Sequence, residues 1–275
     1  MSYNYPVVFS VSSGKGGVGK TNISVNLACS LSRMGYNTVL LDADLGLGNV
    51  DVLLGLAPKY NLFHLFFKQV ELDKILLETR YDFRILPAAS GVSEMLTLSS
   101  GQKLELLEAM DVLEDEVDFF LVDTGAGINE NVLYFNMAVQ NRIIVVTPEP
   151  TSLTDAYALI KVLHVQHGVD HFKVLVNFAR DSKEAKQVFS KLYAACDYFL
   201  NEVSLDWLGF IPQDDAVPSA VIQQVPFCES APDSLAAKNI SSITENIVSW
   251  NGDEQLDGNI KFFWKKLLFR GEYSG

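Results

Sequence analysis

Residues 7–21 read VVFSVSSGKGGVGKT, and no other stretch of the chain limits its fold so sharply. A strand-forming run ends in four glycines within six positions, and a Lys–Thr pair then opens a helix-forming stretch. Gly14, Gly19, Lys20 and Thr21 keep the G-x4-G-K-[ST] spacing of a phosphate-binding loop between a strand and a helix. Glycines let successive backbone N–H groups curl around an anion, and the helix that follows points its positive end at the same place. Gly14, Lys15, Gly16, Gly17, Val18, Gly19, Lys20 and Thr21 are therefore the expected nucleotide loop. Lys20 should reach the β- and γ-phosphates and the Thr21 hydroxyl should ligate Mg2+.

The rest of the chain suits that start. Short apolar runs alternate with longer amphipathic stretches, the signature of a parallel sheet wrapped by helices. Strands are expected at Val7–Val11, Thr38–Asp42, Phe83–Leu86, Phe119–Asp123, Arg142–Thr147, Phe172–Asn177 and Leu208–Ile211. Helices are expected at Thr21–Met34, Gln102–Leu113, Asn129–Val139, Ser152–His167, Ser182–Leu200 and Ser234–Trp250, with Gly35 as a C-cap. Runs such as FFLVD and IIVVT are apolar on both alternations, as strands covered on both faces must be. The expected fold is α/β: a doubly wound, mainly parallel sheet in one P-loop domain over 1–250. A polar, acidic linker over 251–258 and an amphipathic helix over 259–270 follow.

Two strands end in carboxylates. LLDADLG brings Asp42 and Asp44 to the carboxyl end of the second strand, the edge where open α/β sheets bind ligands. Asp42 is placed to support the Mg2+ shell and Asp44 to orient an attacking water; Asp51 reads better as a helix N-terminal charge. DFFLVDTGAG ends an apolar strand at Asp123, the arrangement that holds a carboxylate near Mg2+. Asn177, Pro212 and Asp214 follow later strands and either contact the base or serve as turn residues.

Charge and cysteines exclude other classes. A net charge of −13 argues against a protein that coats nucleic acid. Cys29, Cys196 and Cys228 form neither a CxxC pair nor a disulfide framework, fit a reducing cytoplasm, and read as small buried apolar residues. The first six residues lack the blocks of a signal peptide, and no apolar run is long enough to span a bilayer. The four histidines show no ligand spacing, so no metal beyond Mg2+ is expected.

GKGGVGKT, with Lys15 just after the first glycine, resembles the deviant Walker A motif of the MinD/ParA family of ATPases. The resemblance implies ATP and ADP as ligands, and a homodimer in which Lys15 crosses to the partner's nucleotide. It assigns hydrolysis to Asp44, with Lys15 and Lys20 as the cations of the reaction, and an adenine pocket near Asn177, Pro212 and Asp214. Longer stretches look like one subgroup, the FlhG (FleN/YlxH) proteins that control flagellar number and placement. These are DADLGLGNVDVLLGLAPKYNL, RILPAASGVSEM, VDTGAGINENVLYF, VVTPEPTSLTDAYALIK and KVLVNFARDSKEAKQVF.

That subgroup implies slow ATP turnover and a place in the cytoplasm, peripheral on the inner face of the cell membrane when ATP is bound. It implies partners among FlhF-like GTPases and flagellar switch-complex or transcription-regulator proteins, with no specific nucleic acid. The first strand begins at about Val7, which leaves no room for the DQAxxLR-type extension of many members. Activation of an FlhF-like partner must then use another surface or be lacking. A ParA-type DNA-partitioning ATPase or a MinD-type division-site regulator is the alternative. An iron–sulphur protein of the nitrogenase reductase or Mrp type would need cysteines near the switch loops or a C-terminal CxxC, which are not present.

NIKFFWKKLLFR, residues 259–270, sets seven large apolar residues among four cations with no acid. At helical spacing Ile260, Phe263, Trp264, Leu267 and Leu268 share one face, and Phe262 and Phe269 fall opposite. The pattern suits a helix lying on anionic lipid. It also suits a helix docked in a groove of its own domain, and the two can alternate with the ATP cycle.

Overall fold

The computed structural model describes residues 6–44, 50–68, 70–87, 100–250 and 260–269. The expected linker, Asn251 to Gly258, lies outside the described residues, as do Leu45 to Asn49 after Asp44. The elements run β1 (Val7–Ser13), α1 (Lys20–Arg33), β2 (Thr38–Ala43), α2 (Val50–Leu54), α3 (Leu62–Lys68), β3 (Leu77–Glu78) and β4 (Arg84–Pro87). Then come α4 (Ser100–Glu116), β5 (Phe119–Ala126), α5 (Glu130–Ala138), β6 (Asn141–Val146), α6 (Pro150–His167), β7 (His171–Ala179) and α7 (Ser182–Phe199). The chain closes with β8 (Ser204–Pro212), α8 (Ala216–Gln223), α9 (Phe227–Ser230), α10 (Leu235–Val248) and α11 (Ile260–Leu268). Every expected strand and helix forms, with shifted ends. The additional short elements β3, α2, α3, α8 and α9 are too brief to leave a readable periodicity.

The strands make one sheet of eight in the order β3-β4-β2-β5-β1-β6-β7-β8. All neighbours are parallel except β3, which runs antiparallel to β4. Alternation along β1 shows both covered faces. Val7, Phe9 and Val11 pack with residues of α1 and α10, while Val8 packs with residues of α4, α5 and α11 on the opposite side. Gly35 ends α1 with φ 89°, and its N–H donates to the Ser32 carbonyl at 2.8 Å.

In this structure the terminal helix takes the docked one of its two expected arrangements. Ile260, Phe263, Trp264, Leu267 and Leu268 are all buried in the domain's own core, with α11 against α4 and α5. Phe120 of β5 lies 5.5 Å from Phe263 and 6.3 Å from Trp264 between ring centroids, and Phe135 of α5 stacks on Phe263 at 6.3 Å. The physical reason is complementarity: one apolar stripe covers aromatics of β5 and α5 that water would otherwise meet. Among the described residues, no helix is long and apolar enough to cross a membrane.

Candidate functional site

The loop between β1 and α1 sits at the carboxyl edge of the sheet, where the strand order changes direction on either side of β1. Gly17 (φ 78°) and Gly19 (φ 90°) take left-handed backbone that other residues adopt only at a cost. Gly14 is required for a different reason. A Cβ there would come within 2.1 Å of the Asp155 carbonyl group on α6, so the loop rests directly on that helix. Lys20 opens α1 and is 7% exposed. Burial lowers its pKa, partly offset by the carboxylates of Asp123 and Asp44.

Parallel pairing of β2 with β5 puts Asp42 beside Asp123. One oxygen of Asp123 accepts from the Ser24 hydroxyl at 2.8 Å. The other, Oδ2, is buried with no hydrogen-bond partner among the described residues. An orphaned, buried carboxylate oxygen next to a hydroxyl and a second carboxylate is the hard oxygen set that Mg2+ takes. Asp42 accepts from the backbone N–H of Asp44 at 3.3 Å and of Val50 at 3.2 Å. Burial, reinforced by Asp123, raises its pKa to about 7; burial raises that of Asp123 to about 6, despite Lys20, Thr21 and Ser24.

Those shifts set a pH dependence. Between about pH 4 and about pH 7 the folded protein holds a proton on Asp42 that the unfolded chain has released. Stability of the nucleotide-free protein therefore falls as pH rises through that window. Asp42→Asn removes the titration, so its stability relative to wild type should climb by up to ~1.4 kcal/mol per pH unit across the window. Losing one of the two backbone contacts adds only a constant offset. Denaturant melts of both proteins at a series of pH values check this, and parallel curves would show that Asp42 titrates like a surface carboxylate.

A cleft of about 630 Å³ opens over Gly16, Gly17, Lys20, Thr21 and Asp44, with Val221, Ile222 and Gln224 after β8 on its rim. Gly125, in the glycine-rich turn after Asp123, is close enough that a Cβ would sit 3.4 Å from Asp44 Oδ1. Lys15 is not among the residues that line this cleft. Its ammonium pairs with the Glu149 carboxylate and donates to Thr151 Oγ1 at 3.0 Å. These partners belong to the PEPTSLTDAYALIK segment that opens α6, and no sequence signal pairs them with a lysine 134 positions earlier.

The expected base contacts are arranged differently. Asn177 Nδ2 donates to the Val18 carbonyl at 2.8 Å, and its Oδ1 accepts from the Phe178 N–H at 2.9 Å. Both ends of this amide are engaged beneath the phosphate loop, so Asn177 positions the loop in this structure. Asp214 caps two helices, accepting from Ala216 N at 2.9 Å and from Ala236 N at 3.1 Å, and Pro212 is buried at the end of β8. Neither lines the cleft; Val221, Ile222 and Gln224, from the following turns, do. Asp51 sits in the first turn of α2, as a helix N-terminal charge should.

Comparison with known proteins gives consistent relatives. A family model described as ParA, NUBPL iron-transfer P-loop NTPase, matches residues 5–248. The chain is 44% identical to the antiactivator FleN of Pseudomonas aeruginosa over 98% of its own length and 96% of that protein. It is 31% identical to the flagellum site-determining protein YlxH of Helicobacter pylori over 94% of its length and 88% of that protein. Its fold matches the septum site-determining protein MinD from Pyrococcus horikoshii, solved with Mg-ADP, with a TM-score of 0.68 at 24% identity, covering 90% of this chain and 98% of that one.

Proposed function

The chain belongs to the ParA/MinD family of P-loop ATPases, and from that premise we propose that it is an ATP-driven dimerising switch that regulates flagellar number or placement at the membrane. The observation that carries the flagellar reading is the similarity to FleN and YlxH, which runs nearly end to end in both proteins.

In this reading Lys20 and the loop N–H groups hold the β- and γ-phosphates. Thr21, Asp42 and Asp123 would hold Mg2+, which when bound neutralises charge developing on the phosphates. Asp44, at the mouth of the cleft beside Gly125, orients the attacking water. Lys15 leaves Glu149 and Thr151 to reach the nucleotide of a second copy, so dimerisation exchanges one anionic partner for another. Besides α4, the dock of α11 uses Phe120 of β5 and Phe135 of α5, the elements on either side of the turn that follows Asp123. A shift of that turn on ATP binding would loosen the dock and present α11 to anionic lipid. Activation of an FlhF-like GTPase or contact with a transcription regulator would follow dimer formation.

Light scattering and flagellar counts test the proposal together. Lys15→Ala should bind ATP yet stay monomeric. Glu149→Gln should favour the ATP dimer by at most about fivefold, because an exposed ion pair is worth ~1 kcal/mol or less. In cells, Lys15→Ala should alter the number of flagella per cell as deletion of the gene does. A normal ATP dimer, or a normal count, in Lys15→Ala would overturn the reading.

A further inference from the structure

The nucleotide site uses none of the cysteines, yet two of them meet. Cys29 on α1 and Cys228 on α9 are 0% and 3% exposed, and the Cys228 thiol donates to the Asn26 carbonyl at 3.9 Å. Cys29 Sγ also donates to Glu229 Oε1 at 3.5 Å. The two sulfurs and a Glu229 oxygen all lie within 4.8 Å of one another. Cys196, by contrast, is on α7 and packs in a separate part of the core with residues of α6 and β7.

From this cluster we infer a zinc site: Cys29 Sγ, Cys228 Sγ and a Glu229 carboxylate oxygen as ligands, with water in the fourth position. Tetrahedral zinc with bonds of ~2.3 Å to sulfur and ~2.0 Å to oxygen sets sulfur and oxygen ~3.5 Å apart. The Cys29–Glu229 edge already has that length. Two thiolates and a carboxylate around Zn2+ leave one net negative charge, and a cation stands ready for it. Arg33 Nη1 lies 3.3 Å from Glu229 Oε1 and donates to the Cys228 carbonyl at 2.8 Å. The Glu229 side chain is 33% exposed, which gives the water and the ion a way in. Both thiols are protonated without metal, and Cys29 and Cys228 each release a proton to solvent as the metal binds.

The site has a consequence for the cleft. Zinc would tie α1, which starts at Lys20, to α9, which follows the rim residues Val221, Ile222 and Gln224. Asn26 connects the two places: its Oδ1 accepts from Cys228 N at 2.9 Å, and its Nδ2 donates to the Asn22 carbonyl at 2.7 Å. Asn22 lines the cleft.

The test uses reduced, untagged full-length protein saturated with Mg2+-ADP, so that the phosphate site does not compete. Zn2+ is titrated against a chromophoric chelator, and Co2+ is substituted to look for thiolate-to-metal charge transfer in the near ultraviolet. One tight equivalent per chain is expected, with the charge-transfer band and a melting temperature raised by several degrees. Cys29→Ser and Cys228→Ser should lose both signals while keeping nucleotide affinity, which reports that they fold. Glu229→Gln, at a partly exposed position, should weaken zinc at least about tenfold, the cost of losing even an outer-shell partner. Cys196→Ser should bind as wild type does. Reduced protein that takes up no zinc, whether or not peroxide joins the two thiols, overturns the inference. So does tight binding retained in Cys29→Ser.

Discussion

Lys20→Ala is expected to lower ATP affinity by at least about 100-fold, ~2.7 kcal/mol, the scale of a charge-assisted contact to phosphate lost from an enclosed site. No other cation takes its place, because Lys15 is engaged by Glu149 and Thr151. The same substitution should leave the melting temperature of the nucleotide-free protein close to wild type. Lys20 is 7% exposed and its burial disfavours the ammonium, so the empty fold gains little from the charge. Titration with a fluorescent ATP analogue, alongside a thermal melt, separates the two effects. Affinity within about twofold of wild type would remove Lys20 from the phosphate site.

Phe263→Glu/Trp264→Glu should abolish ATP-dependent recovery on anionic liposomes and also weaken the nucleotide-free monomer. Both effects come from one apolar face. In the docked state the five buried residues of α11 contribute roughly 10 kcal/mol of burial, at ~1.5–3 kcal/mol each. Ordering the nine residues of the helix costs about as much, at ~1–2 kcal/mol per residue. Docking is therefore close to balance on this scale. Trp264 adds a bias toward release. Its buried Nε1–H has no hydrogen-bond partner among the described residues, at a cost of ~1–3 kcal/mol. At a lipid interface, where Trp is favoured, that N–H meets water or a headgroup. The exposed Lys265 and Lys266 would then each add about 1 kcal/mol on anionic lipid. Two helices on one dimer raise the effective affinity further. Wild type should pellet with ATP and stay in solution without it. Equal pelleting of wild type and variant would rule out the anchor, and an unchanged melt would rule out the dock.

How legible these features were depended on how far apart in the chain their parts lie. The phosphate loop is local: glycine spacing, a preceding strand and a following helix occupy fifteen consecutive residues, and backbone geometry there follows from residue type. The strands were legible for a related reason, since burial on both faces leaves continuous apolar runs. Asp42, Asp44 and Asp123 were readable as strand-end carboxylates. Their mutual placement needed the β2–β5 pairing. Asn177 shows the limit. An amide at the end of a strand carries no sequence signature of the contact it makes here, to the Val18 carbonyl across 159 positions.

What the sequence alone determined is thus the P-loop fold class, the location of the phosphate site and the amphipathic character of the last helix. The tertiary structure alone decided the strand order, the pairing of Lys15 with Glu149, the meeting of Cys29 with Cys228, and what covers the apolar face of α11. The physical reason is the same throughout. Local conformation follows from neighbouring residues, and helical periodicity records only that a face is apolar. Whether lipid or Phe120 and Phe135 cover that face depends on surfaces brought together from distant parts of the chain, which only the folded sheet assembles.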